Sequence, residues 1–139
     1  MKKNVVIVLT IAAIIISVYL IVWVTPRHFL KGIKAQDIHV ISVRDGSNGN
    51  NFDITSQEDI IFIAGKIQSQ PYRKDGISMF LMGTLYTMRF YDSDSRLVEE
   101  FILNADDRIR KDPFFYITDP ELSGLTDYIR NISEKHSGK

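Results

Sequence analysis

The chain has 139 residues, no cysteine, and 17 basic against 17 acidic residues. Without cysteine there is no disulfide, no thiolate metal site and no cysteine nucleophile. Lys2 and Lys3 precede the first apolar segment, so the remainder carries 15 basic and 17 acidic residues, a formal charge of minus two. That balance excludes a basic nucleic-acid-binding surface.

Residues 1–4 form a short basic leader. Residues 5–24, VVIVLTIAAIIISVYLIVWV, are apolar throughout, with Thr10, Ser17 and Tyr19 the most polar members. As a helix this run rises about 30 Å, the hydrocarbon thickness of a bilayer. It has no polar stripe of the kind a core helix carries. It is longer than the apolar core of about 7 to 15 residues in a cleaved signal, and its exit, Trp23-Val24-Thr25-Pro26-Arg27, lacks a small-x-small site. These features predict an uncleaved single-pass anchor in the lipid bilayer of a cell membrane. Tyr19 and Trp23, four residues apart near its end, are the expected membrane-interface residues, because amphipathic rings favour the headgroup zone. Lys2 and Lys3 on one side nearly balance Arg27, Lys31 and Lys34 on the other. A short amino-terminal leader staying inside while a long carboxy-terminal part crosses predicts an extracytoplasmic domain.

Residues 25–36, TPRHFLKGIKAQ, read as a solvated basic connector. One domain is expected over 37–133, about 100 residues and large enough to bury a core without staples. Residues 37–44, DIHVISVR, alternate as a strand covered on both sides, with Ile38 and Val40 on one face and Ile41 and Val43 on the other. The turn formers of 45–50 follow, and Phe52 and Ile54 resume the pattern, which predicts a hairpin. Thr55 and Ser56 stand three residues before Glu58 and Asp59, a capping arrangement. Ile60, Ile63, Ala64 and Ile67 then make one apolar helical stripe that Pro71 ends.

Residues 80–92 read as the strongest strand, with Phe80, Met82, Tyr86, Met88 and Phe90 as a core-facing row. Residues 92–95 form a turn, residues 97–103 a partner strand, and 104–107 a second turn. Extended segments follow around Ile109 and at 114–118, with Pro113 at an edge, bend or bulge. Asp119-Pro120-Glu121 reads as a helix opening, and Leu122, Leu125, Ile129 and Ile132 as the buried stripe behind it. From Ser133 onward, and over 134–139 in particular, a polar, frayed tail is expected.

No catalytic constellation emerges. His28, His39 and His136 are too scattered for shared ligation. Asp92-Ser93-Asp94 lacks the glycine and terminal glutamate of a calcium loop, and Gly76-x-Ser78 is followed by Met79 and Phe80 rather than by a nucleophile elbow. There is no phosphate-binding loop, and no metal or cofactor is expected. The densest polar feature is 104–110, NADDRIR, from which Asn104, Asp106, Asp107 and Arg108 are the candidate interaction surface, against the plainer reading of a solvated turn with weak ion pairs.

The run 83–92, GTLYTMRFYD, with Leu97-Val98-Glu99-Glu100, residues 104–109 and Phe115-Tyr116, resembles an uncharacterised domain family of small membrane-anchored proteins and lipoproteins of Gram-positive bacteria. It spans roughly 35–132, with Thr84 where that family has a tryptophan. The resemblance implies location and fold, and no activity.

The expected architecture is α+β: an amino-terminal transmembrane helix, then ββα, three or four further antiparallel strands and a closing helix, with the helices on one sheet face. The expected function is non-enzymatic, a membrane-tethered extracytoplasmic module for a protein or cell-envelope component. The alternatives are an immunity-type inhibitor protein of the envelope, and a hydrolase of unfamiliar type. A deep cleft gathering Asp106, Asp107 and Arg108 with Tyr86 or Tyr116 would favour the hydrolase, and a convex polar surface would argue against it.

Overall fold

The structure is a computed structural model that describes residues 2–119 and 124–138. Helix α1 (Lys2–Val24) stands apart from the rest and buries none of its side chains. Behind it come strands β1 (Ile38–Asp45) and β2 (Asn51–Ile54), helix α2 (Gln57–Gln68), strands β3 (Arg73–Ile77), β4 (Tyr86–Asp92), β5 (Leu97–Ala105), β6 (Arg108–Lys111) and β7 (Phe114–Ile117), and helix α3 (Leu125–Ser137). The seven strands form one antiparallel sheet in the order β2-β1-β4-β5-β6-β7-β3. This is the expected α+β class and broadly the expected order, with five strands rather than three or four between α2 and α3.

Alternation along the strands sorts the sheet into two faces. Ile41, Val43, Tyr86, Met88, Phe90, Phe101, Leu103, Ile109 and Tyr116 join one buried cluster with Ile60, Ile63, Ala64 and Ile67 of α2 and with Leu125, Ile129 and Ile132 of α3. Burying each large apolar side chain contributes about 1.5–3 kcal/mol. Ser56 caps α2, its hydroxyl accepting from the Asp59 amide. The Tyr128 hydroxyl donates to Asp59 Oδ1 at 2.5 Å and locks α3 against α2. That acceptor pushes the Tyr128 phenol up to about 12.

Several local expectations are corrected. Strand β1 is not covered on both sides: its register with β4 shifts between Ile38 and Val40, and this bulge brings Ile38 into the same core as Ile41 and Val43. Residues 25–36 are no solvated connector. Phe29 and Leu30 are buried in the core, Arg27 exchanges backbone hydrogen bonds with Tyr72 at 2.8 and 2.9 Å, and Gln68 Nε2 donates to the Leu30 and Ile33 carbonyls at 3.0 and 2.6 Å. The strand expected from residue 80 begins at Tyr86, and Phe80 and Met82 are not core residues but 96% and 100% exposed. Backbone φ angles of 69° at Phe80 and 111° at Gly83 break the extended chain. The tail is helical to Ser137, with Ser133 buried and the His136 ring 5.8 Å from that of Phe52. The helix opening at Pro120 and Glu121, and Leu122 with it, lie outside the described residues; α3 is described from an N-cap at Gly124.

Gly46 marks the tightest backbone approach. Its amide donates to the Leu85 carbonyl at 2.8 Å, and a Cβ there would stand 2.0 Å from the Thr84 carbonyl oxygen. Gly46→Ala is expected to destabilise the domain by about 1–3 kcal/mol through overpacking, seen as a lower denaturant midpoint with an unchanged slope. A midpoint equal to that of the unsubstituted chain would show that this contact relaxes freely.

Candidate functional site

Three regions have the make-up of a site: the junction between α1 and the domain, the polar end of the β5–β6 hairpin, and the uncovered face of the sheet.

At the junction the last turn of α1 meets the β3–β7 edge of the sheet. Tyr19 and Trp23 stack at 6.1 Å, and Trp23 meets Phe114 of β7 edge-on at 5.8 Å. Lys74 of β3 donates from Nζ to the Val22 carbonyl, one of the carbonyls that the end of a helix leaves without an intrahelical partner. The same ammonium lies 5.3 Å from the Phe114 ring centre, and the Arg27 guanidinium lies 4.9 Å from that of Phe29. The helix exit is therefore held by aromatic and cation–π contacts, each worth about 0.5–1.5 kcal/mol. Tyr19 and Trp23 stand together at the helix exit. Lys74 and Phe114 were missed, because only the pairing of β3 with β7 brings them to the helix.

Beyond this junction, Ile77, Met79, Phe80, Leu81 and Met82 form an exposed apolar loop between β3 and β4. Its base is firmly held. Ser78 is buried, its amide donating to the Pro113 carbonyl at 2.8 Å and its hydroxyl to Asp112 Oδ1 at 2.6 Å. Arg110 donates to Asp112 and, at 2.7 Å, to the Leu81 carbonyl. The Arg110 guanidinium and then the Ser78 hydroxyl hold the Asp112 carboxyl below the usual carboxylate range.

At the hairpin end, three of the four expected residues converge. Asn104, Asp106 and Asp107 line a shallow recess of about 370 Å³ with Leu85 and Thr126. Asp106 is committed to the fold: its carboxylate accepts from the Gly124 and Thr126 amides at 3.0 and 2.8 Å. It thus supplies from another element the cap that Gly124 has no side chain to provide. Arg108 leaves the recess, pairing with Asp75 of β3 at 2.8 Å and lying 5.7 Å from the Phe115 ring centre. Tyr86 and Tyr116 are buried in the core, so these residues do not gather in a deep cleft with Asp106, Asp107 and Arg108. Among the described residues no three His, Asp or Glu side chains converge as metal ligands.

The uncovered face of the sheet is polar. A cross-strand row runs from Asp53 through Ser42 and Arg89 to Glu100, tied by Ser42 to Asp53 and by Arg89 to Glu100 at 3.2 Å. Arg44, Asn51 and Tyr91 border a recess of about 280 Å³ there. In comparisons with known proteins, no protein-family model, curated protein or solved structure matches the chain.

Asp106→Ala is expected to cost about 1 kcal/mol of stability by uncapping α3, whereas Asp107→Ala stays within about 0.5 kcal/mol. Paired denaturation curves check this. Equal effects at the two positions would contradict the capping role.

Proposed function

We propose that this protein is a single-pass membrane protein whose folded domain is held at the extracytoplasmic surface as a non-enzymatic binding module for a protein or cell-envelope component. The observation that carries the anchor is α1: 23 residues long, apolar, and without one buried side chain. In water, bare apolar surface costs roughly 25 cal/mol for each Å², and a hydrocarbon phase about 30 Å thick removes that cost over the length of such a helix. The docking of Trp23 and Lys74 supports a domain that sits directly on the bilayer rather than on a loose tether.

Binding as the role rests on the uncovered sheet face. Antiparallel sheets commonly leave one face in water, and here that face offers alternating donors and acceptors in Arg44, Asn51, Asp53 and Arg89 beside the Tyr91 ring. Charge-assisted hydrogen bonds from such groups are the stronger, directional kind. A polar partner with charges of both signs fits this surface. The extracytoplasmic side is the expectation supported by Lys2 and Lys3 at the start of the helix and by the folded domain on its other side.

Protease treatment of intact cells carrying a carboxy-terminal epitope tests the placement. The epitope is expected to be digested on intact cells. An epitope retained until lysis would put the domain inside.

A further inference from the structure

The loop at 77–82 is an anomaly for a water-soluble surface. Five of its six residues are large, apolar and exposed, with Phe80 and Met82 almost wholly so. None of residues 76–85 is charged. Phe80 also holds a left-handed φ of 69°, a conformation unfavourable for a bulky residue, and its ring gains no packing within the fold in return. Ser78 and Arg110 fix the base of the loop, so its apolar tip is presented rather than loosely hanging.

The location of the tip bears on what could cover it. From Tyr72 through β3 to Ile77, the contacts with the beginning of the chain pass from the connector to the last turn of α1. Arg27 pairs with Tyr72, Lys74 reaches the Val22 carbonyl, and Trp23 packs on Phe114, the β7 residue paired with Ile77. The end of β3 thus lies beside the last turn of α1, and the rest of the loop continues from Ile77 at that level. An aromatic interfacial residue, a lysine beside it and an uncharged apolar tip follow the order in which side chains partition across a membrane interface.

We propose that the loop 77–82 is a second membrane contact, whose apolar side chains enter the interfacial zone of the bilayer that α1 spans. The inference rests on the anchored reading given above. Helix and loop together hold the domain at two points, which fixes its tilt and stops it from swivelling on a single stalk.

The absence of native cysteine permits single labelled sites in the full chain, reconstituted into phosphatidylcholine–phosphatidylglycerol vesicles that carry nitroxide-labelled lipid. An environment-sensitive fluorophore is placed in turn at Leu9→Cys in α1, Met82→Cys in the loop and Asn50→Cys in the β1–β2 turn. The proposal expects lipid quenching, a blue shift and shielding from aqueous iodide at 9 and 82, and the reverse at 50. Adding Phe80→Asp to the Met82→Cys chain is expected to lose most of the lipid quenching at 82. The fold should tolerate this change, because Phe80 is exposed and Asp accepts a left-handed φ better than Phe does.

Quenching at 9 with iodide access at 82 overturns the loop contact and leaves the anchor standing. Shielding at 82 without lipid quenching means that protein, such as a second copy of this chain, covers the loop, and it also overturns the proposal. No lipid quenching at 9 removes the anchor and the loop contact together.

Discussion

Helix α1 is made of side chains that its own domain leaves bare, and this mismatch governs how the rest of the molecule is organised. The domain completes its core without α1, using α2, α3 and the segment carrying Phe29 and Leu30 to cover one sheet face. Among the described residues the helix meets the domain at its last turn, where Trp23 packs on Phe114 and Lys74 reaches the Val22 carbonyl. A helix so joined orients the domain relative to whatever surrounds it, because Arg27 pairs with Tyr72 within three residues of the helix end.

The charged groups divide into those that build the fold and those that remain for contact. Asp106 caps α3, Arg108 ties β6 to β3, and Asp112 with Arg110 supports the loop base. These pairs sit near the surface, where each contributes modestly to stability, yet each fixes the position of an element whose own sequence is weakly determining. On the open sheet face Arg44 and Asn51 have no such structural duty toward the core, while Arg89 pairs with Glu100 across β4 and β5. That division is why the proposed partner surface is the uncovered sheet rather than the hairpin end.

Much of the core was legible because its signals are local. The stripe of α2, its Ser56 cap, the β1–β2 hairpin and the row Tyr86, Met88 and Phe90 follow from periodicity over a few residues. What escaped was set by pairing between distant segments. Strand β3, RKDGI, is short, polar and at the sheet edge, and becomes a strand only by lying against β7. The row 80–92 has one continuous alternation in sequence, but the positive φ angles at Phe80 and Gly83 separate its first half, so that Phe80 and Met82 point to the exterior. The bulge between Ile38 and Val40 likewise shifts a phase that alternation alone holds constant. At the hairpin end, sequence density marked Asp106 as a surface acid, and only the approach of α3 shows it to be a cap.

The most direct measurement on this molecule is the intact mass of the protein recovered from cell membranes after an alkaline wash. A chain still carrying α1 in the washed membrane fraction is the outcome that embedding of residues 5–24 in lipid requires. A shorter chain that begins past Trp23, released into the medium or the wash, would contradict it.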